Sequence, residues 1–125
     1  MMQSNISVES FKELYNTLNR DTLSLEKLAT VYHNDIMFED CFHSIHGIAL
    51  MHDYFDNLYE NVSSISFEFE DEWADDHSAM LTWTMSYQHP KLNSGNTIRV
   101  KGASRLTFKD NKVIGHRDYF DGGAL

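Results

Sequence analysis

Apolar residues recur at helical spacing through the first third of the chain and again after Gly47, then fall on alternate positions to the end. Val8, Phe11, Leu14, Tyr15 and Leu18 form one stripe, with Ser7 placed to cap its start and Asn19-Arg20-Asp21 to break it. Leu25, Leu28, Ala29 and Tyr32 predict a second, shorter helix. Beyond Gly47, the residues Ile48, Met51, Phe55, Leu58, Tyr59 and Val62 draw one broad apolar face that must pack on something flat. His52, Asp53, Asp56, Asn57 and Glu60 of that helix face water.

Alternation predicts the strands. Residues 36–42 set Ile36, Phe38, Asp40 and Phe42 against Met37, Glu39 and Cys41, and residues 65–73 set Ile65, Phe67 and Phe69 against Ser66, Glu68 and Glu70. Residues 79–89 put Ala79, Leu81, Trp83, Met85, Tyr87 and His89 on one face, and Pro90 ends the run. Residues 97–108 do the same with Ile98, Val100, Gly102, Ser104, Leu106 and Phe108. Asp110-Asn111-Lys112 reads as a tight hairpin turn, and a last strand runs from Val113 to Asp121. Long neighbouring strands joined by short loops imply an antiparallel sheet with the helices over one side, an α+β domain.

Composition narrows the function classes. The chain has 125 residues, 42% apolar and 13% aromatic, enough for one ring-rich core. No repeat or linker divides it, so residues 1–125 are expected to form a single domain. Nineteen acids against ten bases give a net charge of -9, which argues against nucleic acid as a partner. No apolar run approaches the ~20 residues of a membrane span. The opening MMQSNISVES lacks the basic and apolar regions of a signal peptide, so a cytoplasmic location is expected. Cys41 is the single cysteine, permits no internal disulfide, and reads as a structural thiol.

Strand parity also sends polar groups inward. Asp40, Tyr87, His89 and Ser104 share faces that are otherwise apolar. In the last strand Arg117 and Asp121 look solvated and Ile114 and Phe120 buried, which turns His116 and Asp118 inward, about 7 Å apart along one strand. Two carboxylates in one apolar concavity are costly unless they serve something, and histidine and tyrosine are their natural partners.

At these residues the chain resembles the SnoaL-like branch of the nuclear-transport-factor-2-like superfamily, relatives of ketosteroid isomerases and limonene epoxide hydrolases. The resemblance rests on the helical N-terminus, then YHNDIMFEDCFHSIHG (Tyr32 to Gly47) leading into a helix, then four long strands, the last ending in HRDYFD (His116 to Asp121). It implies a cystatin-like α+β cone: a curved mixed or antiparallel sheet wrapped around the N-terminal helices, with an apolar pocket at one end. It also implies a homodimer formed through the outer face of the sheet. The expected lining of the pocket is Phe38, Asp40, Phe55 and Trp83, together with Met85, His89, Val100, Ser104 and Phe120. By resemblance, Asp118 matches the pocket acid of the epoxide hydrolases, His116 takes the place of a Trp, and Phe120 matches a lining Phe. A Tyr-x-Asn pair would fall on Phe38 and Asp40, and the Arg-x-Asp partners near Met85 and Tyr87, so the water-activating set is missing. What survives resembles cyclase and isomerase members, in which one acid removes a proton beside a carbonyl.

Two readings of Asp118 stand side by side: a general base tuned by His116 with Tyr87 as donor, or an acid held near the cone mouth for the fold alone. Asp40 either steers substrate or pairs with His116, or caps the turn near Cys41 and Phe42. His89 reads as a donor or as the strand end before Pro90. A metal set of His89, His116 and Asp118, with Asp40, His43 and His46 in reserve, lacks any HxxxH spacing on a helix. The reading taken has no metal and no cofactor, because moving protons requires only the acid and its donors. The acidic run from Glu68 to Asp76 reads as a solvated edge, and Trp73 within it as a partner contact or a cap on the cone. The chain is therefore expected to be an isomerase- or cyclase-like enzyme for a small apolar carbonyl compound. The competing expectation is a non-catalytic ligand-binding or dimeric module. The closing Gly122-Gly123-Ala124-Leu125 leaves the cone mouth either open to water or closed by a neighbouring subunit.

Overall fold

The computed structural model describes residues 3–121, with side chains from Val8 onward. Helix α1 spans Gln3–Thr17, α2 Leu25–Ala29 and α3 Ile48–Asn61. The strands are β1 Tyr32–Glu39, β2 Ser44–His46, β3 Ser64–Ala74, β4 Ser78–Gln88, β5 Ile98–Lys109 and β6 Lys112–Phe120. They form one curved six-stranded sheet in the order β2-β1-β6-β5-β4-β3. Helix α1 packs on β3 and β4, and α3 on β1 and β2.

The chain's local chemistry explains most of these elements. Val8, Phe11, Leu14 and Leu18 are buried on one side of α1 and just past its end. Position 7 falls inside that helix, so Ser7 does not begin it, and its side chain lies outside the described ones. Ser24 caps α2 by accepting the N–H of Lys27 at 3.0 Å. The second stripe is shorter than its spacing predicts: α2 ends at Ala29, and Tyr32 opens β1 with 1% exposure. Met51, Phe55 and Tyr59 form the buried face of α3. Asp110 and Asn111 both adopt left-handed backbone, with φ of 53° and 66°, which joins β5 to β6 by the hairpin turn the sequence predicts.

Three features differ from the alternation argument. The sheet is mixed, because β1 runs parallel to β6 while its other pairings are antiparallel. Short loops dictate antiparallel pairing only between consecutive strands, and β1 and β6 lie at opposite ends of the described chain. The first strand stops at Glu39, so Phe42 sits in the following turn at 59% exposure and not on an inward face. A bulge between β5 and β6 pairs Phe108 with Val113 and Thr107 with Gly115, leaving Ile114 between them. Val113 is thereby fully buried on an odd position, while His116 is buried on an even one. Gly102 is fixed by packing: a Cβ there would collide with the Trp83 indole and lie 2.7 Å from the Tyr119 carbonyl oxygen. Residues 122–125, which the sequence reading placed at the cone mouth, lie outside the described residues.

Candidate functional site

Helices α1 and α3 and strands β1, β3, β4 and β6 line a cavity of about 290 Å³, close to the smaller ligand sites of proteins. Its wall is largely aromatic. Phe38, Phe55, Trp83, Met85 and Phe120 line it, as do Asp40, Tyr87, His89 and Asp118. Val100 and Ser104 lie behind this wall, each 2% exposed, and His116 is 3% exposed beside a void of about 20 Å³ shared with Ser104 and Asp118.

Asp118 is the focus of two hydrogen-bond arms. The Trp83 indole N–H donates to Ser104 Oγ at 2.9 Å, and the Ser104 hydroxyl donates to Asp118 Oδ1 at 2.6 Å. An indole can only donate, so this arm has one direction. On the other side His116 Nε2 lies 2.6 Å from the same Oδ1, while its Nδ1 is 2.8 Å from the Tyr32 hydroxyl. Tyr32 in turn meets the Tyr15 hydroxyl at 2.7 Å. With a neutral imidazole carrying its proton on Nε2, every donor has an acceptor: Tyr15 gives to Tyr32, Tyr32 to Nδ1, and Nε2 to Asp118. The imidazole is clamped between rings, stacked 5.8 Å from Tyr32 and edge-on to Phe38 at 4.8 Å. Burial pushes the Tyr15 and Tyr32 phenols well above their ordinary value, with nearby Asp118 adding to the shift, so both stay protonated. Both donors reach Oδ1; among the described residues none reaches Oδ2.

Asp40 belongs to a different arrangement. Its Oδ1 accepts the backbone N–H groups of Phe42 at 2.8 Å and His43 at 2.7 Å, and its Oδ2 accepts the Tyr54 hydroxyl at 2.9 Å. The His43 imidazole stands 3.2 Å from Oδ1. Burial works to raise this carboxyl, but those donors outweigh it and hold it below the usual carboxylate value. Asp40 borders the cavity, yet its oxygens close the turn between β1 and β2 and tie it to α3. His89 is likewise occupied, its Nδ1 accepting the Lys91 N–H at 3.1 Å in the turn after β4. Among the described residues no three His, Cys, Asp or Glu side chains stand close enough to hold a metal ion.

Sequence reasoning omitted four phenols, among them Tyr54, which lines the cavity and donates to Asp40. Tyr15 and Tyr59 line the cavity but read only as apolar-face residues, and Tyr32 reads as helical. The available signal was chemical: an inward tyrosine must place its hydroxyl somewhere.

No curated protein matches the chain. Among solved structures, a protein assigned as a SnoaL-like polyketide cyclase from Jannaschia sp. CCS1 superposes with a TM-score of 0.79 at 15% identity, covering 94% of this chain and 86% of that one. An LEH-like epoxide hydrolase from M. tuberculosis gives 0.76 at 16%, covering 98% and 81%. A hypothetical protein of ketosteroid isomerase-like fold from Catenulispora acidiphila, in complex with trimethylamine, gives 0.79 at 10%, covering 95% and 88%. Identities this low establish the fold, the nuclear-transport-factor-2-like one that the sequence resembles. A family profile, that of the SnoaL-like domain, matches residues 11–116. With most of its length inside that match, the chain belongs to the SnoaL-like domain family.

Proposed function

We propose that the protein is an acid–base enzyme for a small, largely apolar carbonyl compound, with Asp118 removing a proton from the carbon beside the carbonyl. The observation that carries this reading is the one-sided hold on Asp118: Ser104 and His116 both donate to Oδ1, Oδ2 has no partner among the described residues, and the side chain lines an aromatic chamber. In the step itself, Oδ2 takes the proton, the C–H electron pair moves toward the carbonyl, and the developing charge rests on the substrate oxygen. Tyr87, 7% exposed in the wall and with no hydroxyl partner among the described residues, is a donor for that oxygen. His116 touches Asp118 and holds it in place. By the sequence resemblance, the Arg and second acid of an epoxide hydrolase would fall near Met85 and Tyr87, which favours proton removal over water activation. We also propose a homodimer through the outer face of the sheet, where Met37 and Tyr119 are 44% and 42% exposed.

The test uses 2-tetralone, a bicyclic ketone with an activated C–H, incubated with the protein in D2O. NMR should show faster deuterium uptake at the carbon beside the carbonyl than buffer gives, and Asp118→Asn should return it to the buffer rate. Uptake at the buffer rate with wild-type protein would replace this reading with the non-catalytic ligand-binding module.

A further inference from the structure

Four phenols line the cavity: Tyr15, Tyr54, Tyr59 and Tyr87. Their hydrogens are not equally available. Tyr15 spends its own on Tyr32, in the direction that leaves no donor of the His116 arm unpaired. Tyr54 donates to Asp40. Neither Tyr87 nor Tyr59 has a hydroxyl partner among the described residues; of the two, Tyr59 is the more buried, at 4% exposure. Burial is the one cause that raises its phenol above the ordinary value, so it remains a protonated donor. Buried hydroxyls in folded proteins are almost always paired, and one that borders a cavity is normally paired by what fills it.

We propose that Tyr59 is a ligand-binding residue whose hydroxyl donates to an oxygen acceptor on the bound molecule, which makes the ligand class a small aromatic or alicyclic compound carrying a carbonyl oxygen. The geometry around it agrees. Phe55 packs against the Tyr59 ring at 6.2 Å, and Phe55, Phe67 and Trp83 supply apolar wall without competing acceptors. Tyr59, Tyr15 and Asp118 line the same cavity. A molecule spanning this space meets a donor at Tyr59 and an acceptor at Asp118. The proposal rests on the acid–base reading for its substrate class, but it is a statement about binding and is tested as one.

Isothermal titration of 2-tetralone against tetralin, the same bicycle without the oxygen, isolates the acceptor. Wild-type protein should bind the ketone about fivefold or more tightly, the scale of one net hydrogen bond. Tyr59→Phe should cut that preference at least twofold, leaving what Tyr87 contributes, and should not lower the melting temperature, because no protein partner is lost. Asp118→Asn should keep the preference while losing proton exchange. An absent preference in the wild type, an undiminished preference in Tyr59→Phe, or a lower melting temperature of that variant would each overturn the assignment. Preference without exchange would uphold Tyr59 and remove the acid–base reading; exchange without preference would do the reverse.

Discussion

Asp40 and Asp118 each lie two residues after a buried strand residue, both border the same cavity, and both have a histidine beside them, yet the protein treats them in opposite ways. Asp40 has donors on both oxygens, supplied by a turn and by Tyr54 on α3, and its side chain is 4% exposed. Asp118 has both donors on one oxygen and a side chain 20% exposed. A carboxylate whose lone pairs are fully engaged holds structure together. One held on a single oxygen is oriented and still has an oxygen to use. The placement of the donors, more than the burial of the acid, separates the two roles.

Substitutions should widen or erase that contrast. The largest effect is expected from Asp118→Asn, which keeps an Oδ1 acceptor for Ser104 and His116 but loses the basic oxygen. Its proton-exchange rate on 2-tetralone should fall by roughly 10²–10⁴, the usual worth of a positioned general base, with stability in urea within about 1 kcal/mol of wild type. A clear loss of stability would instead make Asp118 a second Asp40. The mirror experiment is Asp40→Asn, which should cost about 1–3 kcal/mol in urea unfolding by leaving charged hydrogen bonds unmade, with little change in exchange rate. Ser104→Ala should fall between them. It strands the buried Trp83 N–H and loosens Oδ1, so about 1–2 kcal/mol of stability should go together with part of the exchange activity.

The smallest effect is a pH dependence. The folded-state Asp40 carboxyl lies below its ordinary value, so its contribution to stability is complete above the unfolded pKa of about 4 and is lost as pH falls through the lower folded value. The melting-temperature gap between wild type and Asp40→Asn should therefore be full at pH 7 and shrink below about pH 4.

This contrast also marks how far the sequence could be read. Alternation in β3, β4 and β5 and the helical face of α3 are strong local patterns, and they put Trp83, Met85, Tyr87 and Ser104 on the side where the structure has them. In β6 the bulge at Ile114 realigns the strand so that Val113 and His116 both face the core, which a strict two-residue period cannot express. Strand β2 is three residues long and has no buried position, so it leaves no periodic trace. Tyr32 fits a helical stripe by spacing alone; its membership of β1 is decided by pairing with β6, far along the chain. For Asp40, parity and turn chemistry gave competing readings, and the structure has Asp40 accepting the N–H groups of Phe42 and His43 in the turn while bordering the cavity. The roles of Tyr15, Tyr32 and Tyr59 depend on which hydroxyl meets which partner, and that is a property of three-dimensional contact.

The donor arm that begins at Trp83 has an optical consequence. The chain holds two tryptophans, and they report on separate environments: Trp83 is 3% exposed in the cavity wall with its N–H bonded to Ser104, whereas Trp73 is 62% exposed beyond the bulge of β3. Their emission should separate into a blue component shielded from iodide and a red component quenched by it. An occupant of the chamber would perturb the first and spare the second, so the unlabelled protein carries its own ratiometric fluorescence reporter of filling.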